Sequence, residues 1–171
     1  MKRRAPLLVL LVALCLAADS DPGSGDPGSG FGISLDRSQP MEIESDELEA
    51  SRREDGRQRV VFKRKVRLSQ ADLRIGCDWL EALYPSKGDG APEKITCRGA
   101  VTIRQGDVEA KCDEVVFVRA RNQGVCVGQP AELRRGENVV EGPQIHFDTL
   151  NETITVKGGV RIHVRREVSS E

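Results

Sequence analysis

The chain has 171 residues, of which 31% are charged, 38% hydrophobic and only 4% aromatic, with 26 Lys and Arg balanced by 27 Asp and Glu. A nucleic-acid partner normally shows itself as a basic surplus or as aromatic stacking platforms, so this composition argues against one. Five cysteines and an apolar beginning point instead to an exported chain.

Residues 1–18 combine Lys2, Arg3 and Arg4 with an apolar run from Leu7 to Ala18 that ends on small residues. That is the pattern of a secretory signal peptide. The run of twelve apolar residues is short for a transmembrane helix, which takes about 20, and an uncleaved membrane anchor is the alternative. Removal after Ala18 takes Cys15 with it and leaves 23 basic against 27 acidic residues. Residues 19–40 carry a near-duplicated Asp-Pro-Gly-Ser-Gly pentapeptide and are expected to be a flexible linker. Residues 41–166 are long enough to bury one core, and residues 167–171 read as a disordered tail.

The predicted folded part is built from repeats. Met41 to Ala50 resembles the second half of a unit that is complete between Cys97 and Val118. Between them, Arg57, Arg59, Lys63, Arg64, Lys65 and Arg67 surround Val60-Val61-Phe62. This basic cluster reads either as a phosphate-facing rim or as the solvated face of a half-buried strand, and alternation favours the strand. Val66, Leu68, Leu73, Cys77, Asp78 and Leu80 then match Val101, Ile103, Val108, Cys112, Asp113 and Val115 at a constant offset of 35. An insertion from Tyr84 to Glu93, with Pro85, Gly88, Gly90 and Pro92, predicts a long loop.

In the complete unit, Val101 and Ile103 alternate with polar residues. Gln105-Gly106-Asp107 supplies a turn, and Val108, Ala110 and Cys112 resume the alternation. After Asp113 the parity shifts by one, which a bulge near Cys112-Asp113 would produce. Ala131, Leu133, Gly136, Ile145 and Phe147 repeat the frame at an offset of 30, with Pro130 expected at a bulge or an unpaired edge position. Gly158 to Val164 is a final half-unit. A period of about 30–35 residues with strand alternation means stacked β units, none of which buries its apolar face alone.

Parity places Ile43, Leu48, Val66, Leu68, Leu73, Ile75, Leu80, Ile95, Val101, Ile103, Val108, Val115, Phe117, Leu133, Ile145, Phe147, Ile154, Val156, Val160 and Ile162 inward. Alternation alone suits a packed sandwich core better than a ligand groove. Trp79 falls at outward parity, on a rim or contact surface, or else under the loop at Tyr84. No nucleophile elbow or phosphate loop is present. Asp46, Asp78 and Asp113, one per repeat, read as structural caps on exposed backbone donors rather than as an acid/base set. No catalytic residue, cofactor or metal is therefore expected, and His146 and His163 both lie at outward parity without any Cys-x-x-Cys pair.

The four cysteines beyond the signal, Cys77, Cys97, Cys112 and Cys126, are expected to form disulfides. Cys77 and Cys112 share one repeat position, and Cys97 and Cys126 share a Cys-x-Gly spacing. These equivalences favour pairing Cys77 with Cys112 and Cys97 with Cys126, and the next choice is Cys77 with Cys97 and Cys112 with Cys126.

Five motifs in order carry a resemblance. They are Ile43-Glu44-Ser45-Asp46-Glu47-Leu48, then Gly99-Ala100-Val101-Thr102-Ile103-Arg104-Gln105-Gly106 with Cys112-Asp113, Gly128-Gln129-Pro130-Ala131-Glu132-Leu133, Val140-Glu141-Gly142, and Gly158-Gly159-Val160-Arg161-Ile162. Together they resemble the OstA-like family of lipopolysaccharide transport proteins, typified by LptA and shared by LptC and the periplasmic part of LptD. The resemblance implies an all-β fold, a twisted, partly open antiparallel β-jellyroll. It also implies a non-enzymatic periplasmic protein whose interior, at Ile43, Val66, Leu68, Ile75, Leu80, Val101, Ile103, Val108, Val115, Phe117, Leu133, Ile145, Phe147, Val160 and Ile162, holds the acyl chains of lipopolysaccharide. The implied partners are lipopolysaccharide and other OstA-like modules, LptC-like at one end and LptD-like at the other, with self-association through the first and last strands. Two alternatives stand: an LptC-like component anchored at the inner membrane, and a polymerising β scaffold that carries no lipid. The chain departs from the family pattern at Arg64-Lys65-Val66, where a glycine is expected, in the Tyr84–Glu93 insertion and in its paired cysteines.

Overall fold

A computed structural model describes Ile33, residues 39–87 and residues 90–164. The expected signal peptide, most of the linker, Cys15 and the tail lie outside the described residues. Ten antiparallel strands form one sheet. They are β1 (Glu42–Glu44), β2 (Glu47–Arg52), β3 (Gln58–Gln70), β4 (Leu73–Tyr84), β5 (Lys94–Gln105), β6 (Val108–Val118), β7 (Gln123–Arg135), β8 (Asn138–Asp148), β9 (Thr153–Lys157) and β10 (Arg161–His163). The order is β1-β3-β4-β5-β6-β7-β8-β10, with β2 also on β3 and β9 also on β8. Each end of the sheet is therefore finished by a strand in two pieces, and the sheet does not close on itself.

Three two-residue turns join the hairpins, and each needs a left-handed residue first. Gly106 (φ 55°) and Gly136 (φ 56°) supply it at the positions the repeat predicts, and Ala71 (φ 51°) supplies it in the first hairpin. The six long strands are each interrupted near the middle. The register slips between Lys63 and Val66, Gly76 and Trp79, Arg98 and Val101, Lys111 and Glu114, and Val127 and Ala131. Side by side these bulges form a crease that folds the sheet over, as bulges do at barrel and jellyroll corners. The parity shift at Cys112-Asp113 and the unpaired position of Pro130 both belong to this crease. At its first bulge the expected glycine is replaced without loss of the geometry: Arg64 (φ 63°) and Lys65 (φ 49°) take the left-handed conformation with their side chains outward and exposed.

Folding at the crease brings the alternating apolar residues face to face. Val66, Leu68, Leu73, Leu80, Val101, Ile103, Val108, Val115, Leu133, Ile145 and Phe147 are all buried, and Ile43, Ile75, Phe117, Ile154 and Val156 pack against them half-buried. Three expected inward residues are exposed instead: Leu48 (61%), Val160 (48%) and Ile162 (61%). They lie in or beside the strands at the two ends of the sheet, where alternation still assigns a side but no second layer stands opposite. Ile33, inside the stretch expected to be linker, is only 3% exposed and joins the core.

The favoured cysteine pairing is overturned. Cys112 bonds to Cys126, while Cys77 and Cys97 are free and buried. Cys77 and Cys112 occupy equivalent places in successive repeats, but β5 runs between their strands. Two strand spacings put them about 10 Å apart, beyond the ~7 Å that a disulfide spans. The same holds for Cys97 on β5 and Cys126 on β7. The bond that does form belongs to the second-choice pairing.

Candidate functional site

Between the two layers, away from the crease, the packing opens into a cavity of about 450 Å³. The crease itself is dry, with Val66 and Val101 at 1% exposure and Ala131 at 0%. The cavity walls come from alternate residues on one side of several strands: Leu68 of β3, Leu73 and Ile75 of β4, Ile95, Cys97 and Ile103 of β5, Val115 and Phe117 of β6 and Phe147 of β8. Ile43 and Met41 close it along the first edge, with Ile33 beside them. Of the expected interior residues, the structure brings Ile43, Leu68, Ile75, Ile103, Val115, Phe117 and Phe147 to the cavity. It leaves Val66, Leu80, Val101, Val108, Leu133 and Ile145 in the packed part of the core, while Val160 and Ile162 belong to neither.

Several lining residues escaped the repeat reading because they sit outside any repeat: Ile33 and Gln39 precede the first half-unit, Gly90, Ala91 and Pro92 come from the insertion, and Arg119 and Thr149 follow long strands. Met41, at the start of the first half-unit, also lines the cavity and is not among the residues that parity places inward. The insertion, which expectation placed as a plain loop, thus forms part of the wall. Its end is tied down by two backbone bonds, Glu93 N–H to Leu83 O at 2.8 Å and Arg119 N–H to Glu93 O at 3.0 Å. On the other side, the Gln70 side-chain amide donates to the Gln39 carbonyl at 3.0 Å, which secures the segment leading into β1. Tyr84 lines the same space, and burial pushes its phenol up from the ordinary value. Phe147 requires a bare backbone next to it: a Cβ on Gly124 would lie 2.1 Å from its ring.

The basic cluster of β3 faces its acidic neighbours rather than an open rim. Lys63 pairs with Glu49 at 2.9 Å, Lys65 with Asp46 at 3.2 Å, Arg57 with Glu93 at 3.3 Å and Arg67 with Glu44 at 3.8 Å; Arg59 and Glu81, and Arg64 and Glu47, are in direct contact. The solvated-strand reading is the one the structure supports. Trp79 lies on the outer face in one row with Lys63, Arg98 and Glu114, and the Arg98 guanidinium stands 5.0 Å from its ring centroid. Among the described residues no group of three or more His, Cys, Asp or Glu is arranged to hold a metal. Chemically, the site offers an apolar enclosure within the range of small-ligand cavities, about 300–1,000 Å³, with a few polar groups at its edge.

Fold and cavity together define an open antiparallel β-jellyroll with an apolar interior. The sequence matches the family described as LptA/(LptD N-terminal domain) LPS transport protein over residues 42–153, and the chain belongs to that family. It is accordingly a component of lipopolysaccharide transport and not an enzyme. No curated protein sequence matches the chain. Among solved structures, the fold is similar to that of LptH from Pseudomonas aeruginosa, described as the LptA-homologous periplasmic component of the lipopolysaccharide transport device. The match has a TM-score of 0.63 at 17% identity and covers 77% of this chain and 99% of that one.

Proposed function

We propose that this chain is a periplasmic bridge module whose interior shelters the acyl chains of lipopolysaccharide and whose two sheet ends pair with neighbouring modules. The observation that carries the reading is the apolar cavity between the layers, in a chain of a lipopolysaccharide transport family. Apolar surface left unfilled inside a domain is costly, and an alkyl chain restores about 25 cal/mol for each Å² taken from water. Ile43, Leu68, Ile75, Ile103, Val115, Phe117 and Phe147 are the residues assigned to that contact. Export through the Met1–Ala18 signal and a periplasmic location belong to the same reading, supported by the description of LptH.

Both ends of the sheet offer unpaired backbone for strand addition. We assign them to an LptC-like module at one end and an LptD-like module at the other, or to further copies of this chain. The first end carries Glu42, Glu44, Glu47 and Glu49, and the last carries Arg161 and His163 beside exposed Val160 and Ile162. Unlike ends favour head-to-tail over head-to-head association, because like charges meeting in register cost energy.

Photo-crosslinking in cells tests the reading. A photoreactive residue at Phe117 or Ile103 is expected to capture lipopolysaccharide, and one at Val66, in the dry crease, is expected to capture none. Absence of lipid crosslinks from every cavity-lining position would defeat the proposal and leave a scaffold that carries no lipid.

A further inference from the structure

The free thiols Cys77 and Cys97 occupy the same station on β4 and β5 that the disulfide occupies on β6 and β7. In each case the first cysteine lies in the bulge of its strand, with its sulfur 3.3 Å from the carbonyl oxygen two residues later, Trp79 in one and Glu114 in the other. The second cysteine stands opposite the residue three places after the first, Cys97 opposite Leu80 and Cys126 opposite Val115. At the bonded station this arrangement holds the Cα atoms 5.9 Å apart, within the span of a disulfide. The other station repeats this register with both thiols free and buried. Neither free thiol has the alternative of pairing with Cys112 or Cys126, since those sulfurs are already joined.

We propose that Cys77 and Cys97 are a redox pair that closes into a second disulfide by exchange with an external disulfide, stapling β4 to β5 along the wall of the cavity that Cys97 lines. The Cys77 thiolate attacks one sulfur of the external disulfide, breaking that S–S bond and releasing one thiolate. Cys97 then loses its proton, and its sulfur attacks the Cys77 sulfur of the mixed disulfide, releasing the second thiolate. Two protein thiols give up two electrons and two protons, and the external disulfide becomes two thiols. The order follows from the geometry: Cys77 is 7% exposed and Cys97 0%. It also follows from the acidities. The neighbouring Cys97 thiol holds Cys77 below its ordinary range, and its interaction with Cys77, together with burial, pushes Cys97 up.

The test uses the whole exported chain, refolded in a buffer of reduced and oxidised glutathione, alkylated in denaturant, digested and mapped by mass. A linked Cys77–Cys97 peptide beside the Cys112–Cys126 one is expected, with neither Cys77 nor Cys97 alkylated. In a Cys97→Ser variant the reaction is expected to stop at a glutathione adduct on Cys77. The oxidised wild type is expected to unfold about 5–10 °C above a Cys77→Ser, Cys97→Ser double variant. Alkylation of both residues after oxidising refolding, with Cys112–Cys126 intact, overturns the proposal, as does recovery of Cys77 linked to Cys112. An unchanged midpoint overturns the staple.

Discussion

The two ends of the sheet are built on one plan and finished with different chemistry. At the first end, β1 and β2 pair with the two halves of β3, and at the last, β10 and β9 pair with the two halves of β8. All six residues of β2 are exposed, and the end is held by four cross-strand ion pairs: Glu44–Arg67, Asp46–Lys65, Glu47–Arg64 and Glu49–Lys63. The last end carries Arg161 and His163 against a single carboxylate, Glu141, and exposes Val160, Ile162 and Val164 at 48%, 61% and 67%. Charges on an edge strand are a known guard against unwanted pairing, and an apolar edge is an invitation to it. The difference is one of chemistry: charges at the first end satisfy one another, while the last end leaves apolar side chains uncovered.

Breaking the last end is the largest test. Replacing Val160 and Ile162 together with Glu removes apolar surface that a docked module would cover, about 3 kcal/mol at the usual burial scale, or roughly 100-fold in association. Under the proposed head-to-tail pairing of copies, sedimentation velocity across a concentration series is expected to show association weakened about 100-fold in this variant and less in Leu48→Glu, where one exposed apolar side chain rather than two is lost at the first end. Equal loss in both would erase the distinction between the ends.

The bend before β10 and the bend in β3 sharpen the same contrast with a smaller effect. Gly158 and Gly159 lie at φ 86° and 84°, and a Cβ on Gly158 would come 2.6 Å from Pro143 Cγ. Gly158→Ala is therefore expected to free β10 at a cost of about 1–3 kcal/mol, seen as lost amide protection at 161–163 and little change in the rest. Arg64 holds a comparable left-handed angle, φ 63°, in open solvent. For Arg64→Gly the relief of about 1 kcal/mol of backbone strain is offset by glycine's chain entropy and the lost contact with Glu47, so unfolding by denaturant is expected to shift by less than about 0.5 kcal/mol. A large change would mean that the guanidinium does more than pair with one carboxylate.

These contrasts also separate what the residues disclose from what they conceal. Alternation from Val101 to Phe117 is enough to predict the strands, the turn at Gly106 and the bulge at Cys112-Asp113, because each follows from local stereochemistry repeated three times. Parity goes no further than choosing a side of the strand. Whether Val160 and Ile162 are covered depends on a second layer that their own sequence does not mention, and for the same reason Leu48 reads as core and proves exposed. The cysteines mislead in another way: equal places in successive repeats mean equal environments, whereas bonding requires adjacent strands. Arg64-Lys65 announces a missing glycine but not that the crease forces its conformation. Ile33 has no periodic neighbours to betray its burial, and the cavity arises from where strands end, which repeat counting smooths over.

Acid and salt give the smallest effect and bear most directly on how the first end is held. Glu49 accepts a hydrogen bond from Lys63 Nζ at 2.9 Å, and this bond, followed by the charge of Lys63, holds its carboxyl below the ordinary glutamate value of 4.5. A carboxylate whose folded pKa is lowered adds stability that is present above its unfolded value and is lost as pH falls through the folded one. The tie from β2 to β3 is thus complete at neutral pH and weakens below about pH 4.5 as Glu49 takes up its proton. The residue is fully exposed, so the effect is local and belongs to fraying of β2 rather than to global unfolding. Raising salt to about 1 M, where charges are screened beyond roughly 3 Å, should act in the same direction without any change of protonation. At the last end, β10 rests on Ile162 opposite Val140 and on the exposed pairing of Arg161 with Glu141, so screening removes a smaller share of its hold. Amide protection measured by hydrogen exchange is expected to fall in residues 47–52 on adding salt, and to fall less in residues 161–163. A uniform response at both ends would show that the ion pairs of β1 and β2 are bystanders and that the backbone ladder with β3 holds that end unaided.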